Sequence, residues 1–211
     1  PDGTPYEGDP RYILKKILSK AAKDNFKYVV GTELEFFYFK SSDKPELLDK
    51  DGYFDRIPSQ LLLKVLGETT LRLANMGIAC EVFHHEVSPS QFEIDIKYTD
   101  ALNMADYVVT AKYIIKQVAE ENGLYASFMP KPIFGINGSG MHIHQSLFKN
   151  GENAFFERKK EDFLSDIAKR FIAGLLKYTS ELSLILNPTV NSYKRLVPGY
   201  EAPVYIAWSK R

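Results

Sequence analysis

An α+β fold with a largely antiparallel sheet and long flanking helices is the architecture this sequence predicts. Three observations lead there. Four segments carry apolar residues at helical spacing, and six shorter runs are strand-like. Several links between the strand-like runs look like hairpins, which disfavours a doubly wound parallel sheet. The 211 residues, 45% hydrophobic and 13% aromatic, suit one well-packed domain or two small ones.

The first helix follows Asp9-Pro10, an N-cap and first-turn pair, and places Ile13, Leu14, Ile17, Leu18 and Ala21 on one side. A strand over 28–39 comes next, and the polar stretch 40–55 reads as a long loop. The second helix runs from about Pro58 to Met76 and stops at Gly77, a C′ glycine. Strands over 79–86 and 91–97 flank Ser88-Pro89-Ser90, a turn-like break. The third helix starts near Asp100 and ends at Asn122-Gly123. Strands over 125–129 and 141–148 precede an Asn150-Gly151 turn. A fourth helix fills about 161–186 until Asn187-Pro188 stops it, and a last strand covers 203–208.

Lys plus Arg and Asp plus Glu both number 27, which disfavours a globally basic nucleic-acid binder and leaves only a local patch open, so no nucleic-acid partner is expected. The single cysteine, Cys80, forms no internal disulfide; it reads as a small core residue in a reducing, cytoplasmic setting. No apolar run reaches membrane-spanning length and the opening stretch is not a signal peptide, so no membrane partner is expected. The sequence begins without Met, and a fragment of a longer chain is the expectation.

In the stretch Gly31 to Phe39, Glu33 and Glu35 point to one face of the strand while Leu34, Phe36 and Tyr38 point to the other. Phe37 and Phe39 continue the glutamate face as apolar. Two acids on a largely buried face need a raised pKa, a cationic partner or a metal, and no Lys or Arg lies in the run. Glu81, Glu86 and Glu93 punctuate the two runs around the Ser88–Ser90 break, where a hairpin would bring Glu86 and Glu93 together. A glycine-rich bend then leads into a strand where His142 and His144 share a face. All four histidines fall in two clusters, His84-His85 and His142/His144. Carboxylates outnumber imidazoles, which suits Mg²⁺ or Mn²⁺ better than zinc. A zinc hydrolase or cupin is the rival, but no His-Glu-x-x-His occurs. The bend Gly135–Gly140 lacks the lysine of a P-loop. The block from Asn187 to Tyr205, with Lys194, Arg195 and Glu201, reads either as an exposed loop or as a mobile flap with an anion-binding arginine.

Glu33-x-Glu35-Phe-Phe, His85-Glu86 with Gln91 and Glu93, the stretch Lys131 to Ser146, and the stretch Asn187 to Pro203 together resemble glutamine synthetase of the prokaryotic type I class. The resemblance runs from about Gly3 to Trp208. Ser90 departs from it, since the family usually has glycine before the glutamine.

The resemblance implies the catalytic-domain fold of that family (guanido-kinase-like), present in part over 1–211. An N-terminal β-grasp domain and the rest of the catalytic domain would lie outside. It implies an ATP-dependent glutamate–ammonia ligase that uses Mg²⁺ or Mn²⁺, two ions per complete site, with glutamate, ammonium and ATP as substrates. A dodecamer of two hexameric rings is expected of the whole enzyme, and inactivity of the 211 residues alone. By resemblance, Glu35, Glu86 and Glu93 hold the first ion, and Glu33 and His142 contribute to the second. Asn137 and Gly138 match a glutamate-binding bend, and Arg195 matches the grip on the substrate α-carboxylate. Glu201 matches a flap residue that takes a proton from ammonium. Glu81, His144 and Ser146 match positions near the nucleotide. His84 and His85 are expected only to support the ligands, and Lys194 has no assigned role. A γ-glutamyl-polyamine or other amine ligase, and a non-catalytic binding relative, are the alternatives.

Overall fold

Asp9 starts the first helix as its sequence suggests: the carboxylate accepts the N–H groups of Arg11 and Tyr12, each at 3.2 Å, and Pro10 takes the first position of α1 (Pro10–Lys23). The computed structural model describes residues 2–57 and 59–210. Its long central strand, β1 (Phe26–Phe39), leads to α2 (Gln60–Asn75), β2 (Cys80–His85) and β3 (Gln91–Asp100). Then come α3 (Ala101–Glu121), β4 (Tyr125–Ser127), β5 (Met141–Lys149) and the short β6 (Glu152–Asn153). Two helices, α4 (Asp166–Leu186) and α5 (Val190–Arg195), close the order. Ser59, Asp100 and Ser165 cap α2, α3 and α4 through their side-chain oxygens.

Every strand pair is antiparallel, in the order β2-β3-β1-β5-β6, with β4 also pairing with β1. β5 lies alongside Phe26–Leu34 and β4 alongside Phe37–Phe39. Between them, at Glu35, β1 has no strand partner on that edge. The glycine-rich bend enters there, and the Glu35 N–H reaches the Gly140 carbonyl at 3.4 Å.

The sheet has one dry face. Leu34, Phe36 and Tyr38 of β1 and Phe92, Ile94 and Ile96 of β3 are at most 2% exposed. They pack against Leu62, Val65, Leu66 and Leu73 of α2 and Met104, Ile115 and Val118 of α3. Burying each such side chain stabilises the fold by roughly 1.5–3 kcal/mol, which fixes the register. Alternation then commits Glu33, Glu35, Gln91, Glu93 and Asp95 to the opposite face. Phe37 and Phe39 share that face, buried and stacked 5.6 Å apart.

Several predicted boundaries differ. Residues 203–208 form no strand. The strand expected over 125–129 stops at Ser127, just before Pro130 and Pro132. The fourth helix begins at Asp166, because Ser165 caps it and Leu164 is held in a β-bridge with Phe156. The start expected at Pro58 lies outside the described residues. Within the block that reads as loop or flap, Thr189 and Ser192 form a capping box that starts α5.

Ser90 has a φ of +62°, a left-handed conformation that costs an L-residue roughly 1–2 kcal/mol and explains a glycine preference. Its hydroxyl offsets the strain by accepting the N–H groups of Leu48 (2.6 Å) and Asp49 (3.3 Å). Ser90→Ala keeps the strain and loses both bonds, so we expect it to destabilise by about 1–3 kcal/mol. Ser90→Gly loses the bonds but relieves the strain, and denaturant melts should find it closer to the parent protein. An unchanged Ser90→Ala would show the hydroxyl to be idle, and equal losses in both variants would show the left-handed backbone to carry no strain.

Candidate metal and substrate site

The strand register builds the acid face. Glu35 stands directly opposite Glu93, and Glu93 opposite His84 on the next strand out. Glu33 stands opposite Asp95 on one side and His142 on the other. His142 Nδ1 lies 2.7 Å from Glu33 and 3.8 Å from Glu35, and His144 Nε2 also bonds Glu33. His84 Nε2 lies 3.1 Å from Glu93, with its Nδ1 3.8 Å from Glu86. Donor atoms of Glu33, Glu93 and His142 fall within 4.8 Å of one another, and so do those of His84, Glu86 and Glu93. Glu93 therefore joins the two groups.

The electrostatics show what gathering these acids costs in the absence of a cation. Burial, then the charges of Asp95, Glu86, Glu33 and Glu35, push the Glu93 carboxyl up to about 9. Burial likewise raises Glu86 and Asp95. Glu33 is also raised by burial, but the hydrogen bonds from His144 and His142 outweigh this and leave it below its ordinary value. Hard oxygen donors in excess over imidazole, repelling one another in a half-dry setting, fit a divalent cation.

A cleft of about 590 Å³ opens over this face, lined by Glu35, Tyr53, Glu86, Gln91, Asn137, Gly138, His142, Arg195, Tyr200 and Glu201. One Glu35 oxygen accepts the Gly140 N–H (2.9 Å) and the Gln91 amide (3.2 Å), which sets the bend against the metal ligands. The bend is tight: a Cβ at Gly138 would collide with the Pro130 carbonyl, and one at Gly140 with the Arg195 guanidinium. Lys131 and Asn191 exchange backbone and amide hydrogen bonds of 2.7 and 2.9 Å, clipping the bend to α5 and so to Arg195. The Lys131 ammonium bonds the Ile136 carbonyl and lies 3.8 Å from the centroid of the Tyr200 ring. Burial lowers the Arg195 pKa, and Glu35 partly opposes this. Glu201 has a φ of +55° and accepts a hydrogen bond from Asn137 at 2.7 Å.

The cleft and its floor thus gather Glu33, Glu35, Glu86, Glu93, His142, Asn137, Gly138, Arg195 and Glu201. Glu81 and His144 line a smaller recess beside Glu33, and His144 and Ser146 line another next to it. Lys194 is exposed. Sequence reasoning missed Asp95, although the alternation Gln91-x-Glu93-x-Asp95 displays it. It also missed Tyr53, Tyr200 and Lys131, which reach the site from irregular segments without a periodic signal.

The family description "Glutamine synthetase, catalytic domain" matches residues 7–211. The chain belongs to this family. It is 52% identical to a glutamine synthetase of Clostridium saccharobutylicum and 53% identical to one of Methanosarcina mazei, in each case over 99% of this chain and 48% of the relative. The chain thus spans about half the length of these relatives. A solved glutamine synthetase of Plasmodium falciparum superposes with a TM-score of 0.87 at 34% identity, covering 95% of this chain and 46% of that one. Family membership and the antiparallel α+β fold therefore agree.

Proposed function

We propose that the protein carrying these residues is an ATP-dependent ligase that joins ammonia to L-glutamate. The γ-phosphoryl group of ATP passes to the substrate γ-carboxylate, giving γ-glutamyl phosphate and ADP. Ammonia then attacks the acyl carbon, and phosphate leaves as glutamine forms. The observation that carries this reading is the convergence of Glu33, Glu35, Glu86, Glu93 and His142 beneath a cleft whose other wall presents Arg195.

In this reading Glu35, Glu86 and Glu93 hold one divalent ion, and Glu33 and His142 contribute to another. When bound, the ions neutralise charge on the transferring phosphoryl group and align the reactants. Arg195 binds the α-carboxylate of glutamate as a planar fork, with Asn137 and Gly138 shaping the pocket beside it. Glu201, already tied to Asn137, takes a proton from ammonium and shields the acyl phosphate from water. Glu81, His144 and Ser146, which line two recesses beside Glu33, would contact the nucleotide. The 211 residues alone are expected to bind Mn²⁺ weakly and to form no glutamine.

Calorimetric titration with Mn²⁺ tests the metal site: Glu35→Ala and Glu86→Ala should each weaken binding at least about tenfold. Glutamine formation with ammonia, compared with putrescine as the nucleophile, tests the reaction. Unaltered Mn²⁺ binding in both variants removes the metal assignment, and a preference for putrescine moves the protein to the amine ligases.

A further inference from the structure

His84 and His85 leave opposite faces of β2, and of the two only His84 reaches Glu86 and Glu93. His85 is fully buried beside Phe92, with Nδ1 2.7 Å from the Glu86 carbonyl oxygen and Nε2 3.3 Å from Oδ1 of Asp49. A carbonyl oxygen only accepts, so Nδ1 carries a proton and Nε2 faces a carboxylate. The same Asp49 oxygen accepts the N–H of left-handed Ser90 at 2.6 Å, while the Ser90 hydroxyl returns bonds to Leu48 and Asp49. Five residues on, the Phe54 N–H bonds the His85 carbonyl at 3.0 Å and its ring stacks on His84 at 4.3 Å. The loop over 48–54 therefore grips both ends of the turn from which Glu86 projects.

We propose that Asp49 is a positioning residue for Glu86: through His85 and Ser90 it fixes the backbone that aims this carboxylate into the cleft. The proposal rests on the reading of Glu86 as a metal ligand. The Asp49 side chain is 4% exposed and lies outside the cleft lining, so its influence passes through the residues it holds. The hairpin strand pair fixes Glu86 at its own N–H, which bonds the Gln91 carbonyl at 2.8 Å. Its carbonyl is held by His85, and His85 in turn by Asp49. Without the carboxylate, the imidazole loses the partner that orients it, and the Ser90 backbone loses an acceptor at a strained φ. A ligand on a looser backbone must be ordered when the ion binds, which lowers affinity.

The test is Mn²⁺ calorimetry on the protein carrying these residues, in a double-mutant cycle of Asp49→Ala and Glu86→Ala, with circular dichroism to establish folding at the assay temperature. Asp49→Ala should weaken Mn²⁺ binding about tenfold in the parent background, and less than about twofold once Glu86 is gone. Asp49→Asn still accepts the Ser90 N–H and should lose only about threefold; it decides the matter if the alanine variant does not fold. Undiminished affinity in the folded variants, or an equal loss in both backgrounds, would overturn the proposal. So would the loss of a bound equivalent, since donors of Asp49, Asp51 and His85 lie within 4.8 Å of one another and a direct ligand would behave that way. If Glu86→Ala alone leaves Mn²⁺ binding unchanged, the metal reading of the cleft fails first and takes this proposal with it.

Discussion

On the proposed ligase function, Arg195→Lys in the protein carrying these residues is expected to raise the KM for glutamate by tenfold or more while leaving the KM for ATP within about twofold, because a lost charge-assisted contact costs on the order of 1–3 kcal/mol. Arg195 comes off the last turn of α5 beside Gly140 and lines the cleft, whereas Glu81 and Ser146 line separate recesses. Among the described residues no hydrogen bond to its guanidinium is found, so its donors remain free for a carboxylate. Lysine keeps the charge but replaces a planar fork with a point charge on a flexible stem, and bidentate geometry is lost. Steady-state kinetics with each substrate varied in turn give the answer. An unchanged glutamate KM and turnover would remove Arg195 from the substrate site, whereas equal damage to both KM values would make it a general support of the cleft.

The dry face of the sheet and the direction of the acids were legible because period-2 alternation is a local property. Leu34, Phe36 and Tyr38 had to face one way, and Glu33 and Glu35 the other. What alternation cannot supply is partner and register. That Glu35 lies opposite Glu93, and Glu33 opposite both Asp95 and His142, depends on strand order, which sequence spacing leaves open. The family resemblance, more than the physics of the run, grouped Glu35 with Glu93 and Glu33 with His142; it left Asp95 out. The 40–55 loop shows the opposite case. It reads as polar and irregular, yet Asp49 and Tyr53 enter the structure's interior and its cleft, because side chains on irregular backbone carry no phase to follow. Residues 203–208 differ for a related reason: the apolar run is strand-like, but among the described residues it pairs with no strand, and a strand exists only by pairing. α5 was hidden by the turn formers around it, although the Thr189-x-x-Ser192 box is a local signal.

Glu93→Gln should have opposite effects with and without metal. In chelator, we expect the variant to be more stable than the parent protein at neutral pH, read as a Tm higher by roughly a few degrees. The reason is the upward displacement of the Glu93 carboxyl to about 9, caused first by burial and then by Asp95, Glu86, Glu33 and Glu35. A folded pKa raised above the ordinary value of 4.5 means that folding takes up a proton over the interval between them. The contribution of this group to metal-free stability is complete below about 4.5 and is lost progressively as pH rises towards about 9. Glutamine has nearly the same shape, does not ionise, and removes one of the mutually repelling charges, so the slope should flatten across that window. With saturating Mn²⁺ the order reverses. A neutral amide is a poorer ligand than a carboxylate, and the ion then stabilises the parent protein by mass action more than the variant. Thermal melts from pH 6 to 9, with and without Mn²⁺, check both arms. A parent protein that is the more stable of the two in chelator at pH 8 would mean that Glu93 is already compensated within the chain, and the argument that this face is built around cations would lose its main support.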